Sequence, residues 1–150
     1  MQTVEGQRGA EVKQFSIFLQ NKVGALLDIV KHIHEAHVEV LAFSVQDSVD
    51  TAVTRMVVSD PDRVVQLFEE QDIPYGVSTV LVVELREAAD LVKLLTCILM
   101  AEVNVNFSYP LMTRPNGLAA LVLHVEDAEC ASSVIEMHDF RILKQDDISR

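Results

Sequence analysis

The spacing of apolar residues changes period several times along the chain, and each change marks an element. Residues 13–19 alternate, with Phe15, Ile17 and Leu19 on one side, and predict a strand. Over residues 25–37, Leu26, Ile29, Val30 and Ile33 recur at helical spacing as one apolar stripe. Strand spacing returns over 38–45, with Val38, Val40, Ala42 and Ser44 on one side. The turn-forming run Asp47-Ser48-Val49-Asp50 then leads into a second strand of this hairpin over 52–58. Asp60 followed by Pro61 marks a helix start, a capping carboxylate before a proline at the first helical position. Val64, Val65, Leu67 and Phe68 carry that helix to about Gln71. Pro74 and Gly76 end the pattern, and residues 77–85 read as one long strand or two abutting ones.

The order β-α-β-β-α-β then recurs. Leu91, Leu94, Leu95 and Ile98 predict a third helix, 103–109 a strand, Arg114-Pro115-Asn116-Gly117 a turn, and 118–125 a further strand. Asp127 opens a fourth helix through Val134, Ile135 and Met137, and residues 140–143 make a last short strand. A shift of 65 residues lays Leu26 on Leu91, Ile29 on Leu94, Ile33 on Ile98, Val38 on Val103 and Val40 on Val105. Beyond the hairpin the shift becomes 67, pairing Asp60 with Asp127, Phe68 with Ile135 and Asp72 with Asp139. A longer second hairpin loop around 110–117 absorbs the difference. A shared apolar rhythm would explain the hydrophobic matches. The paired aspartates at helix starts and ends favour an internal duplication.

Each βαββαβ half is an α+β sandwich of ferredoxin-like type, a four-stranded antiparallel sheet with two helices on one face. At about 65 residues a lone half has a marginal core, so joining is expected, sheet edge to edge or face to face. The expected organisation is a flexible tail over 1–12, repeats over 13–78 and 79–145, and a C-terminal tail over 146–150.

Composition narrows the partners. Twelve Lys and Arg stand against 23 Asp and Glu, a net charge of −11, and no basic run offsets it. Such a surface repels phosphate backbones and anionic lipid, so neither nucleic acid nor membrane is an expected partner. No apolar stretch approaches the ~20 residues that span a bilayer. Residues 1–11 are polar, without the apolar core of a signal peptide, and a cytoplasmic location is expected. Cys97 and Cys130 lack CxxC spacing; Cys97 reads as core beside Leu94 and Ile98. His32, His34 and His37 crowd the end of the first helix, where solvation or the helix dipole is the plainer reading than a metal. Aromatic residues are 5% of the chain, too few for an RNA-binding sheet. No phosphate loop or nucleophile elbow appears, so neither catalysis nor a cofactor is expected.

One loop holds candidate chemistry. Between the first strand and helix lie Asn21, Lys22, Val23 and Gly24, followed by Ala25 and Leu26. The N–H groups of Gly24, Ala25 and Leu26 are expected in the first helical turn, where they and the helix dipole suit a carboxylate. Asn21 offers an amide oxygen to an ammonium group and an amide N–H₂ to a carboxylate. The plainer alternative is a turn in which Gly24 serves chain geometry and Asn21 caps the helix.

The run 14–26, with its Asn21-Lys22-Val23-Gly24 core, resembles the start of an ACT domain, although Val23 stands where that family has proline. Residues 55–61 and 76–84 resemble its third strand with second helix start and its junction into a second copy. The resemblance, over about 13–145, implies a tandem pair that binds a free amino acid in a regulatory role. It also implies two units side by side in a continuous antiparallel sheet, a homodimer, and a metabolic enzyme as partner. In the family, the loop asparagine of one unit works with an asparagine early in the second strand of the other, positions matched by Asn21 and Asn104. The reciprocal positions are Arg86, Ala89 and Glu39, and Arg86 with Glu39 could close that position as an ion pair. The expectation is one ligand site per chain, formed by Asn21, Lys22, Val23, Gly24, Ala25, Leu26 and Asn104. From a different class, the alternative is a ligand-free pair acting as an oligomerisation module.

Overall fold

In a computed structural model describing residues 10–20, 22–47 and 51–149, with Lys22 described by its backbone alone, the alternations become strands and the stripes become helices. In chain order these are β1 (Val12–Leu19), α1 (Lys22–Glu35), β2 (Val40–Asp47), β3 (Ala52–Val58), α2 (Pro61–Glu70) and β4 (Gly76–Leu85). There follow α3 (Ala89–Met100), β5 (Val105–Pro110), β6 (Ala119–Val125), α4 (Ala128–Met137), β7 (Ile142–Leu143) and α5 (Gln145–Ile148). Two compact units divide the chain, Lys13–Ser78 with Ser149, and Thr79–Ile148 with the described residues before Lys13. Residues 77–85, read as one strand or two, are a single strand. Ser48, Val49 and Asp50 of the expected turn lie outside the described residues.

In the first unit β3 pairs antiparallel with both β1 and β2. Phe15, Ile17 and Leu19 from β1 meet Met56 and Val58 from β3 beneath Ile29 and Ile33 of α1 and Val64, Leu67 and Phe68 of α2. The rings of Phe15, Phe68 and Tyr75 lie 5.5–5.9 Å apart, with Phe15 and Phe68 edge to face. Tyr75 donates its hydroxyl to Glu69 at 2.8 Å, and this bond, which favours the neutral phenol, raises the Tyr75 pKa. In the second unit the order is β5-β6-β4-β7, all antiparallel. Leu81, Val83, Leu123 and Val125 pack under Leu94, Cys97 and Ile98 of α3 and Ala131 and Ile135 of α4. Cys97 is therefore core, as its spacing predicts, and burial pushes its thiol pKa up. Both units are ferredoxin-like βαββαβ folds.

The duplication extends to backbone detail. Asp60 caps α2 by accepting from Arg63 N–H at 3.2 Å, and Asp127 caps α4 by accepting from Cys130 N–H at 3.0 Å. All four long helices end in the same Schellman motif, closed by Val38 N–H to Ile33 O, Ile73 to Phe68, Val103 to Ile98 and Phe140 to Ile135. The left-handed residue of each motif is His37, Asp72, Glu102 or Asp139, with φ from 55° to 67°. These are 65-shift and 67-shift pairs. A β-bulge likewise falls between Val40 and Ala42 and again between Val105 and Phe107.

The left-handed conformation costs an L-residue about 1–2 kcal/mol, and glycine returns part of any gain through its freer unfolded chain. Glu102→Gly is accordingly expected to stabilise the protein by about 0.5–1 kcal/mol, raising Tm by about 2–3 °C in a thermal melt.

The first bulge changes an expectation. Val38 is buried and Val40 packs on the same core as read. Val40 stands opposite Val58, however, and Ala42 opposite the adjacent Val57, so the extra residue puts Ala42 on the other face of the strand. Leu41 and Ala42 are both buried outside the helix-facing core. The ends of the chain also differ from solvated tails. Residues 1–9 lie outside the described residues, while Val12 is buried and Ala10 O accepts from Gln145 N–H at 2.9 Å. Residues 145–148 form a helical turn because Asp147 accepts from Lys144 N–H at 2.7 Å and pairs with Arg141 at 3.3 Å, which carries Ile148 into the interior.

Candidate functional site

The loop after β1 is positioned by the first core. Leu19 is buried at the strand end, and Ala25 and Leu26 pack against that core from the first turns of α1. Helix α1 starts at Lys22, earlier than expected, so its first turn carries the N–H groups of residues 22–25, which include Gly24 and Ala25 of the expected three but not Leu26. The apolar stripe does not begin until Ala25, which hid the opening turn. Asn21 lies outside the described residues. Val23 and Gly24 are exposed.

Electrostatically this helix start differs from the other three. The first turn of α1 has no acidic residue, whereas those of α2, α3 and α4 contain Asp62, Asp90 and Glu129. The positive end of the α1 dipole therefore meets no carboxylate of its own helix.

Asn104 belongs to the second unit and sits one residue before β5, exposed. Its amide donates to Glu126 Oε1 at 3.3 Å, and its carbonyl accepts from Glu126 N–H at 3.0 Å. The corresponding backbone bond in the first unit runs from Ser59 N–H to Glu39 O.

At the reciprocal position Arg86 has a partner within its own unit. Its Nε lies 3.3 Å from Asp90 Oδ2, and its N–H donates to the same oxygen at 2.9 Å. Asp90, four residues on, is the near partner, and it is about 1% exposed. The backbone N–H of Arg86, foremost, and then its guanidinium hold the Asp90 pKa below its ordinary value, against the opposing effect of burial. A carboxyl with a depressed folded pKa contributes stability above its unfolded pKa and loses it as pH falls through the folded one. Asp90→Asn is therefore expected to lower Tm at neutral pH, and the gap from the parent to shrink as melts move below pH 3.8, the ordinary aspartate value.

Three grooves open on the units. One of about 530 Å³ lies beside Phe68, Glu69 and Tyr75. One of about 480 Å³ runs along Val92, Thr96 and Met100. One of about 450 Å³ lies between the Arg86–Leu91 segment and Arg114 and Leu118. Of the residues expected to hold a ligand, none of the described ones lines these three. Among the described residues, no group of three His, Cys, Asp or Glu side chains is placed to hold a metal ion. His32 instead turns its Nδ1 to Asp28 O at 2.7 Å. The spacing did not point to a cluster on β5 and β6. There the His124 ring stacks on Phe107 at 4.6 Å and bonds Asn106 at 3.0 Å. A histidine inside the apolar run 119–125 was its one signal.

Two consecutive ferredoxin-like units, with matching caps, bulges and helix ends, define a tandem-repeat α+β protein. The ACT domain pair matches residues 10–150, and the chain belongs to that family. Protein BT0572 from Bacteroides thetaiotaomicron has a similar structure, with TM-score 0.85 at 21% identity over 95% of this chain and 98% of that one. The regulatory subunit of aspartate kinase from Thermus thermophilus, in a ligand-free form, gives TM-score 0.60 at 10% identity over 85% of this chain and 91% of that one. A structure of aspartokinase alpha and beta subunits gives TM-score 0.59 at 16% identity over 85% and 91%. Among curated proteins none matches. No helix among the described residues is long and apolar enough to cross a membrane.

Proposed function

We propose that this chain is a non-catalytic regulatory protein that binds one free amino acid per chain. Asn21, Lys22, Val23, Gly24, Ala25 and Leu26 form one side of the site and Asn104 the other, so that the ligand bridges the two repeats. The ligand carboxylate meets the first-turn N–H groups of Lys22 and Val23, and its ammonium group meets asparagine or backbone oxygens. A ligand that favours one arrangement of the repeats passes that preference to whatever reads it. We take the reader to be a metabolic enzyme, as the regulatory subunits of aspartate kinase with this fold are named, and the protein to be a cytoplasmic homodimer.

One observation carries the reading. In the second repeat, Asp90 of the protein itself accepts the loop N–H of Arg86, the position equivalent to Asn21. In the first repeat Ala25 stands in the place of Asp90, and the first turn has no acid. A carboxylate of the protein itself meets the loop of the second repeat, and the first turn of α1 brings none of its own, which supports reading a ligand carboxylate there.

Isothermal calorimetry against the amino acids, on the parent and on Asn21→Ala and Asn104→Ala, tests it. A hydrogen bond to a charged group contributes about 1.5–3 kcal/mol, so each variant should weaken the bound amino acid about tenfold or more. Equal affinity in all three removes the site. No heat and no thermal shift with any amino acid at millimolar concentration favours the ligand-free module.

A further inference from the structure

The spacing of α3 places Leu91, Leu94, Leu95 and Ile98 on one inward stripe, but the structure divides them. Leu94, Cys97 and Ile98 are buried, while Leu91, Val92, Leu95, Leu99 and Met100 are 41%, 69%, 45%, 73% and 73% exposed. They form two neighbouring rows four residues apart, 91-95-99 and 92-96-100. Thr96, in the second row, returns its hydroxyl to Val92 O at 2.7 Å, so its donor is already satisfied.

Helix α1 serves as an internal control. At the outward positions where α3 has Thr96, Leu99 and Met100, α1 has Lys31, His34 and Glu35. At Leu99 and Met100 the same place in the fold is polar in one repeat and apolar in the other, so the fold does not require apolar side chains there. At Val92, by contrast, both repeats expose an apolar side chain, Leu27 in α1.

We propose that this face of α3 is where two copies of the chain meet, α3 against α3 across a two-fold axis. The inference deepens the homodimer reading above and rests on it. Charge favours a second copy here. Two chains of net charge −11 repel each other, yet between residues 91 and 100 the helix bears one charged side chain, Lys93, and no carboxylate. Area is sufficient too. The five side chains expose on the order of 500 Å², so a symmetric pair buries about 1,000 Å², the lower edge of a specific interface. Geometry agrees, because rows four residues apart are the ridges that interdigitate between packed helices. Val92, Thr96 and Met100 also rim the groove of about 480 Å³, an opening that a leucine of the second helix can enter.

Sedimentation velocity across a concentration series, on the parent, Leu99→Glu, Met100→Glu and the off-face variant Met112→Glu, tests the assignment. The parent and Met112→Glu should be dimers. Leu99→Glu and Met100→Glu should dissociate at least about thirtyfold more readily, since loss of a central interface side chain has effects of that size. All three substituted side chains are well exposed, and circular-dichroism melts on each variant verify folding. A dimeric parent with both face variants equally dimeric overturns the assignment to α3 and leaves the homodimer standing. A parent that is monomeric throughout overturns both. Amino-acid calorimetry on the same samples reads the ligand site independently of either result.

Discussion

Phe68→Ala should remove about 3–5 kcal/mol of stability, a loss of roughly 10–15 °C in Tm for a chain of this size. Three effects combine at this side chain. It is fully buried at the centre of the first core, it meets Phe15 edge to face at 5.7 Å, and it lies beside Tyr75 at 5.5 Å. It is also the last-turn residue whose carbonyl receives Ile73 N–H, so truncation removes the apolar contact that accompanies the helix end. Phe68→Leu keeps most of the volume and should recover more than half the loss. A melt in which alanine and leucine behave alike would show that the ring itself, and not the volume it fills, carries the contribution.

Ile135→Ala, at the equivalent position of the second repeat, should cost about 2–5 kcal/mol. The side chain is fully buried, and the carbonyl receives Phe140 N–H in the same motif. Its core holds no ring pair around it, so the loss is that of an aliphatic cavity. Ile135→Val, which removes one methyl group, should cost about 0.5–1.5 kcal/mol. Urea titration of the series should show midpoint shifts in that order with little change in slope.

Much of this architecture was legible before any coordinates. Asp60-Pro61 announced α2 because a capping carboxylate and a proline have few alternatives at that spacing. The bounds of β3 followed from clean alternation. The duplication could be read because the paired aspartates reported helix ends as well as helix starts. What escaped notice has physical causes. A polar first turn carries no apolar stripe, so Lys22 and Val23 read as loop. The bulge at Val40–Ala42 breaks period two locally, so Ala42 and Ser44 were assigned to the wrong side. In α3 apolar residues surround most of the helix, and a stripe cannot be chosen when nearly every direction qualifies. The bond between Arg86 and Asp90 went unread because the reading followed repeat-equivalent positions rather than a residue four positions along the chain. For the proposed ligand site, sequence supplied the residue types, and the structure added the acid-free turn of α1 and the internal carboxylate of Asp90.

The change of shift from 65 to 67 at the second hairpin has an evolutionary corollary. The facing of β6 is fixed by its pairing with β4 and β5, and residues 112–118 between the strands lie outside that register. Residues added or lost there, odd or even in number, leave the β6 leucines and valines on their own sides. Natural relatives should therefore vary this connection in single steps, and engineered tags or reporters are best placed there.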